Sequence, residues 1–154
     1  MAEQFLSFEL AGEAYALKIL KVVEIRGWEP IRPIPNTPSF IKGALNLRGN
    51  IVPIIDLRER FALPAKECTP MTVVIVVNIE IEQQPLALGM IVDAVSDVLE
   101  IKAEDIRKTP PLGSAIDIRY MSGMVVKPDQ KTVLLLNVDK LMAPEELEEL
   151  GQID

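Results

Sequence analysis

A chain of 154 residues can bury one sizeable core but is too short for two ordinary independent domains, and 49% apolar with 25% charged residues is a globular balance. It has no histidine, the commonest general base and metal ligand, and its single cysteine, Cys68, cannot close a disulfide within the chain, which suits a reducing compartment. A net charge of −7 with 5% aromatic content disfavours nucleic acid and anionic membranes as partners, and no apolar run approaches the roughly 20 residues that span a bilayer.

The acidic opening Met1-Ala2-Glu3-Gln4 is unlike a signal peptide and leads into an alternating stretch, so a cytoplasmic protein without direct membrane insertion is expected. Phe5, Ser7 and Glu9 alternate with Leu6, Phe8 and Leu10 as a first strand, Ala11-Gly12-Glu13 turns the chain, and a second strand runs through Tyr15 and Leu17. The spacing of Ile19, Val22 and Val23 among Lys18, Lys21 and Glu24 predicts a short helix over 18–25 ended by Gly27. Pro30, Pro33, Pro35 and Pro38 hold the next passage extended, with Ile31 and Ile34 as its apolar members, and Ser39 is a candidate to start a turn over 40–43.

Leu45 and Leu47 then alternate with Asn46 and Arg48, which hides two leucines and exposes the guanidinium. Gly49-Asn50 reads as a two-residue hairpin loop with glycine at the first central position of a type II′ turn. The returning strand, Ile51, Val52, Ile54 and Ile55, is apolar on both faces, as in a buried strand, while Pro53 cannot donate to a ladder and so marks an edge, bulge or corner. A helical turn over 57–61 is ended by Pro64.

After a junction at 66–70 the strand pattern restarts. Residues 72–77 are β-branched, 78–85 are polar enough for a hairpin loop, 86–92 return, and 95–101 continue through Val95, Val98 and Leu99. A prolyl, polar passage over 102–114 carries a helical turn near 103–106, and 120–127 with 132–138 form a last hairpin. Glu145, Glu146 and Glu149 around Leu147 and Leu150 predict a short C-terminal amphipathic helix ended by Gly151. About ten short strands in two sets split near Cys68 indicate an all-β protein of two small barrels, roughly residues 1–67 and 68–154, packed on one shared core within a single domain.

Chemistry is sparse. Asp93 with Asp97, or Glu104 with Asp105, is a conceivable carboxylate pair for a hydrolase or a hard cation, yet no acidic loop has Ca²⁺ spacing and solvated acidic faces account for both. No phosphate-cradling glycine loop and no Gly-x-Ser-x-Gly is present. No catalytic residue, metal or cofactor is therefore expected, and binding is what remains.

Asn46-Leu47-Arg48-Gly49 followed by Ile51-Val52-Pro53-Ile54-Ile55-Asp56-Leu57 resembles the central motif of the CheW family of chemotaxis adaptor proteins. Leu20-Lys21-Val22-Val23-Glu24-Ile25-Arg26-Gly27, Asn36-Thr37-Pro38 with Phe40-Ile41-Lys42-Gly43, Val92-Asp93-Ala94-Val95-Ser96-Asp97-Val98-Leu99 and Asp139-Lys140-Leu141 match in the same order. The resemblance covers nearly the whole chain and is specific because several segments agree; one alone would be weak. Asn137 departs from it, since an aspartate is common there, and without a receiver domain or kinase modules the chain reads as the stand-alone form.

The resemblance implies two SH3-like five-stranded barrels side by side with a groove between them, and a non-catalytic scaffold coupling the cytoplasmic tips of chemoreceptors to the regulatory domain of a CheA-type histidine kinase in membrane-associated arrays. It implies that Glu24 and Arg48 serve coupling and that Val22, Gly43, Gly89 and Val95 belong to the receptor-facing groove, with a separate kinase surface around Ile31, Ile34 and Ile41. By spacing alone, Glu24 and Arg48 also fit an ordinary solvated pair worth under about 1 kcal/mol, the valines fit core positions, and the glycines fit turns or bulges. The alternatives are the same adaptor in another array, such as one serving surface motility, and a carboxylate enzyme or small-ligand barrel.

Overall fold

A computed structural model describes residues 2–35, 37–64, 66–108, 120–143 and 146. The strands are β1 (Ala2–Leu10), β2 (Glu13–Lys18), β3 (Val22–Gly27), β4 (Ile41–Leu47), β5 (Asn50–Asp56), β6 (Val73–Ile81), β7 (Gln84–Val92), β8 (Ala94–Lys102), β9 (Met121–Val126) and β10 (Thr132–Leu136). One short helix, α1 (Leu57–Arg60), follows β5, and 3₁₀ turns lie at Ile19–Lys21, Ala103–Asp105 and Val138–Lys140. The chain is all-β: sheet 1 has the order β8-β1-β2-β10-β9 and sheet 2 the order β3-β6-β7-β5-β4.

Three hairpins close through two-residue turns, Ala11-Gly12, Arg48-Gly49 and Glu82-Gln83, and all six residues have positive φ, as a type I′ turn demands. Two sequence expectations change here. Leu47 pairs with Asn50, so the loop is Arg48-Gly49 and not Gly49-Asn50; Asn46 Oδ1 accepts from the Gly49 N–H at 3.0 Å and fixes the tighter turn. Ile81 pairs with Gln84, so the polar stretch 78–85 is mostly strand: alternation through Ile79 and Ile81 buries one face, and its charge lies on the other.

The helix predicted over 18–25 is only a 3₁₀ turn followed by β3. Val22 pairs with Val77 and Ile25 with Ile75, and cross-strand packing of β-branched residues outweighs a helical spacing two turns long. Pro53 pairs with Ala44 of β4, one residue before β7 joins β5 at Ile54, so no ladder donor is missing on the β7 side. The predicted C-terminal helix lies outside the described residues except Glu146.

Alternate residues of the central strands feed different cores. In sheet 2, Val74 and Val76 of β6 join Val52, Ile54 and Ile91 inside the curled sheet, while Ile75, Val77 and Ile79 face a larger cluster shared with sheet 1. In sheet 1, Ala16, Val133 and Leu135 face an inner cluster with Phe5 and Ile101, while Tyr15, Leu17, Leu134 and Leu136 face the shared one. Apolar residues on both strand faces thus build two small cores and the joint between them.

The halves of the chain do not each fold a barrel. Sheet 1 takes β1 and β2 from before Cys68 and β8, β9 and β10 from after it; sheet 2 takes β3, β4 and β5 from before and β6 and β7 from after. The division expected at Cys68 instead separates two similar half-chains that exchange strands. Ile41 pairs with Ile55 and Gly43 with Ile54 across a register shift; Met121 pairs with Leu136 and Gly123 with Leu135 across the same kind of shift. Asp56 N donates to Phe40 O at 2.7 Å and Asn137 N to Tyr120 O at 2.8 Å. The Asp56 side chain accepts from Arg58 N, and that of Asn137 from Asp139 N. Few residue types repeat between the half-chains; what recurs is bulge, cap and register.

Candidate functional site

Glu24 lies on β3 and Arg48 at the tip of the β4–β5 hairpin, the two ends of sheet 2, yet Arg48 Nη2 comes within 3.4 Å of Glu24 Oε1. That contact requires the sheet to curl until its edges meet. Arg26 reaches Glu24 at 3.1 Å and Glu29 at 2.6 Å, so the group is a four-residue charged strip along the β3 edge. Within it Arg48 is free to act outward: its side chain is 85% exposed, against 28% for Glu24 and 32% for Arg26. Its φ of 54° is in the left-handed region, unfavourable for a residue with a Cβ.

The apolar expectations divide. Val22 and Val95 are half-buried and pack on the rim of the same shared core, Val22 from β3 of sheet 2 and Val95 from β8 of sheet 1. Ile25 pairs with the core residue Ile75 and Val98 with the core residue Leu6, so each shares its partner's face, but they are 47% and 50% exposed. The terminal strands of the two sheets thus carry a wet apolar margin on the side facing the joint. Ile25 and Val98 were missed as candidates; in each case a shift of register between its strand and the paired strand hides the alternation that would have marked it.

The glycines are not in that margin. A Cβ on Gly89 would collide with the Ile54 Cδ1 and approach Val74 Cγ1 at 3.1 Å, inside sheet 2. One on Gly43 would strike the carbonyl of Arg32, whose oxygen accepts from Ala44 N at 2.9 Å and covers the β4 edge. Both glycines are there for close approach, and Gly43 sits at a bulge.

Ile31, Ile34 and Ile41 do not form one surface. Ile41 is 5% exposed and belongs to the shared core; Ile34 packs on that core, whereas Ile31 packs on the inner cluster of sheet 2 beside Trp28 and Cys68. The bulge between Ile41 and Gly43 turns Ile41 inward, so it has no contact area to offer.

Of the carboxylates that might have served catalysis, Asp93 is engaged in structure, whereas Asp97 on β8 and Glu104 and Asp105 on the 3₁₀ turn after it are exposed. Asp93 accepts from Arg58 Nε at 3.0 Å, Arg58 Nη2 at 2.6 Å and Ala11 N at 2.9 Å, and the Arg58 guanidinium holds its carboxyl below the usual carboxylate range. The open depression of about 580 Å³ beside Tyr120 is lined by Arg60 and Asp139. Arg60 is bound to Glu146 at 2.7 and 2.9 Å, and Asp139 takes Lys21 and the Glu80 N–H. Burial pushes the Asp56 carboxyl up, opposed by backbone N–H groups, and pushes the Cys68 thiol up, away from the reactive thiolate. Among the described residues no three side chains of His, Cys, Asp or Glu gather as metal ligands, and no helix is long and apolar enough to cross a membrane.

The fold and surface define a double-barrel β module whose charges mostly hold it together and whose outward groups lie along sheet ends. A family model described as CheW-like domain matches residues 4–146. The chain is 42% identical over 147 residues to chemotaxis protein CheW of Klebsiella aerogenes, covering 96% of this chain and 86% of that one. It is 32% identical over 145 residues to chemotaxis protein CheW of Rhizobium meliloti, covering 94% and 90%. A solved structure, scaffolding protein TtCheW from Thermoanaerobacter tengcongensis, superposes with a TM-score of 0.80 at 37% identity and 92% coverage of both chains. The chain belongs to the CheW-like family, a family of scaffold proteins and not of enzymes.

Proposed function

We propose that this chain couples the cytoplasmic tips of chemoreceptors to the regulatory domain of a CheA-type histidine kinase. The observation that carries the reading is the exposed Arg48 at the sheet-2 tip, ion-paired to Glu24 one residue from the half-exposed Ile25. A helical receptor tip lays an apolar stripe along Val22, Ile25, Val95 and Val98 and meets Arg48 at its side, the helix-in-groove mode. Gly43 and Gly89 support this surface from within by letting the strands pack closely. The kinase contact is proposed at Ile31 and Ile34 without Ile41. Contacts of about −8 kcal/mol, micromolar, suffice when an array holds many together.

Reconstitution tests the reading. Receptor, kinase and this chain together should make kinase phosphorylation respond to receptor ligand, and omission of the chain should abolish the response. A response that persists undiminished without it rejects the proposal. A second reading, the same role in a different array, is tested by exchanging the receptor in that assay.

A further inference from the structure

The pairing map separates cleanly by half-chain. Among the named strands, pairs within a half are hairpins: β1–β2 and β4–β5 before Cys68, β6–β7 and β9–β10 after it, with only the single bridges Arg32–Ala44 and Arg107–Met124 besides. Every other pair, β1–β8, β2–β10, β3–β6 and β5–β7, joins one half to the other. Hairpins alone are marginal in water, so each half requires the partner half for its sheets to exist.

Side chains repeat the division. Arg58 of the first half binds Asp93 of the second, and Lys21 of the first binds Asp139 of the second at 3.2 Å. Arg58 and Asp139 occupy matching places, two residues beyond the capping side chains of Asp56 and Asn137, so the two ion pairs are counterparts with their polarity reversed. By contrast, the connection from α1 to β6 is mostly exposed: Pro64, Lys66, Glu67, Thr69 and Pro70 are open to solvent and Met71 is 83% exposed.

We infer that the surface between the two halves is a binding site that the corresponding half of a second copy of this chain fits, giving a dimer that exchanges halves. Two such copies rebuild two complete double-barrel bodies, each with all its strand pairs and with the Arg58–Asp93, Lys21–Asp139 and Arg60–Glu146 ion pairs, and only the path of the α1–β6 connection differs. Monomer and dimer then differ mainly by concentration and by that connection, the condition under which exchange is cheap. Because four inter-half strand pairs must open first, the choice is made during folding and held afterwards. The inference is independent of which partners the outer surface binds.

The test uses two full-length variants, Arg58→Asp and Asp93→Arg. In a monomer each sets like charges against one another. In a dimer that exchanges halves between the variants, one body pairs the two mutated positions and the other pairs the two native ones, so opposite charges meet in both. An equimolar mixture unfolded and refolded together should give, by native mass spectrometry, a one-to-one heterodimer of twice the 17.1 kDa chain. Its unfolding midpoint should lie about 5 °C or more above that of either variant refolded alone. Lys21→Asp mixed with Asp139→Lys supplies a second, independent pair with the same expectation. Mixtures of both kinds that contain only monomer or unfolded chain overturn the inference.

Discussion

Arg58 binds Asp93 through two parallel hydrogen bonds, at 3.0 and 2.6 Å, and thereby ties the helix after β5 to the crossover between β7 and β8. Asp93 also accepts from the Ala11 N–H in the β1–β2 turn, so one carboxylate holds three elements drawn from both sheets and both half-chains. The pair is mostly withdrawn from water, with side chains 14% and 19% exposed. Asp93→Ala leaves a largely desolvated guanidinium with only the Pro64 carbonyl and should cost about 3 kcal/mol, the low end for breaking a buried pair, measured by urea unfolding. A loss below about 1 kcal/mol would reduce the pair to a surface decoration.

Acid titration should separate two carboxylates of opposite behaviour. Asp93 has its folded pKa lowered, first by Arg58, so its contribution is present above the unfolded carboxylate value and is lost as pH falls through the folded one. Asp56 has its folded pKa raised, first by desolvation, so its favourable contribution is present below the unfolded value and is lost as pH rises through the folded one. Asn137 occupies the matching cap and accepts from Asp139 N with no charge to desolvate. Asp56→Asn should therefore hold or raise stability at pH 7 and flatten the stability profile just above the unfolded carboxylate value, leaving the deeper acid loss from Asp93 intact. Denaturant midpoints across pH read both; a large loss at neutral pH in Asp56→Asn would mean its partners outweigh desolvation.

Tyr15 is fully buried between Phe8, at 5.6 Å between ring centroids, and Phe61, at 5.8 Å, and its hydroxyl has no hydrogen-bond partner among the described residues. Burial, followed by Glu13, pushes the phenol up to about 12. Tyr15→Phe removes the stranded hydroxyl while keeping the ring and should stabilise by about 1 kcal/mol in thermal or urea unfolding. Destabilisation would show that the hydroxyl is satisfied in solution.

The strands were legible wherever one residue type enforced one geometry. Val52-Pro53-Ile54-Ile55 reads as a doubly covered strand because both faces meet apolar cores, although Ile51, beside the hairpin turn, is 69% exposed and not buried as expected; Asp56 before Leu57 marks the turn of helix. The positions of Ile25, Val98 and Ile41 were not legible, because a register shift in each strand pairing reverses the face that simple alternation assigns. Nor was the exchange between half-chains: hairpins are set by local turn chemistry, whereas the partner of an edge strand is chosen by packing across the whole body. Of the candidate site, the exposure of Arg48 was expected from strand alternation but arises because Arg48 lies in the hairpin turn beyond β4, while the inward packing of Gly43 and Gly89 depends on strands distant in sequence.

Gly89 is the sharpest case of that packing. A methyl group there meets the side chain of Ile54, itself fully buried, and Val74 at 3.1 Å. Gly89→Ala should cost about 2 kcal/mol by overpacking sheet 2, with any loss of partner binding following the loss of folded protein. Full stability with impaired binding would instead place Gly89 at a contact surface.

Arg48 allows stability and coupling to be pulled apart. Its φ of 54° costs a residue with a Cβ roughly 1 kcal/mol relative to glycine, and its pair with Glu24, 3.4 Å apart with Arg48 85% exposed, returns less than about that. Neighbouring Gly49 has φ 87°, so the turn tolerates glycine at both central positions. If Arg48 is retained for contact, Arg48→Gly should raise the unfolding free energy by about 0.5 kcal/mol and still weaken receptor-dependent control of the kinase. Arg48→Glu should leave stability within about 1 kcal/mol, since it keeps the turn and merely sets two carboxylates near each other in solvent, but it should weaken coupling more, by reversing the charge offered to the partner. Equal coupling in the native protein and both variants, measured in the reconstituted assay at matched folded concentration, would leave Arg48 as a turn residue alone.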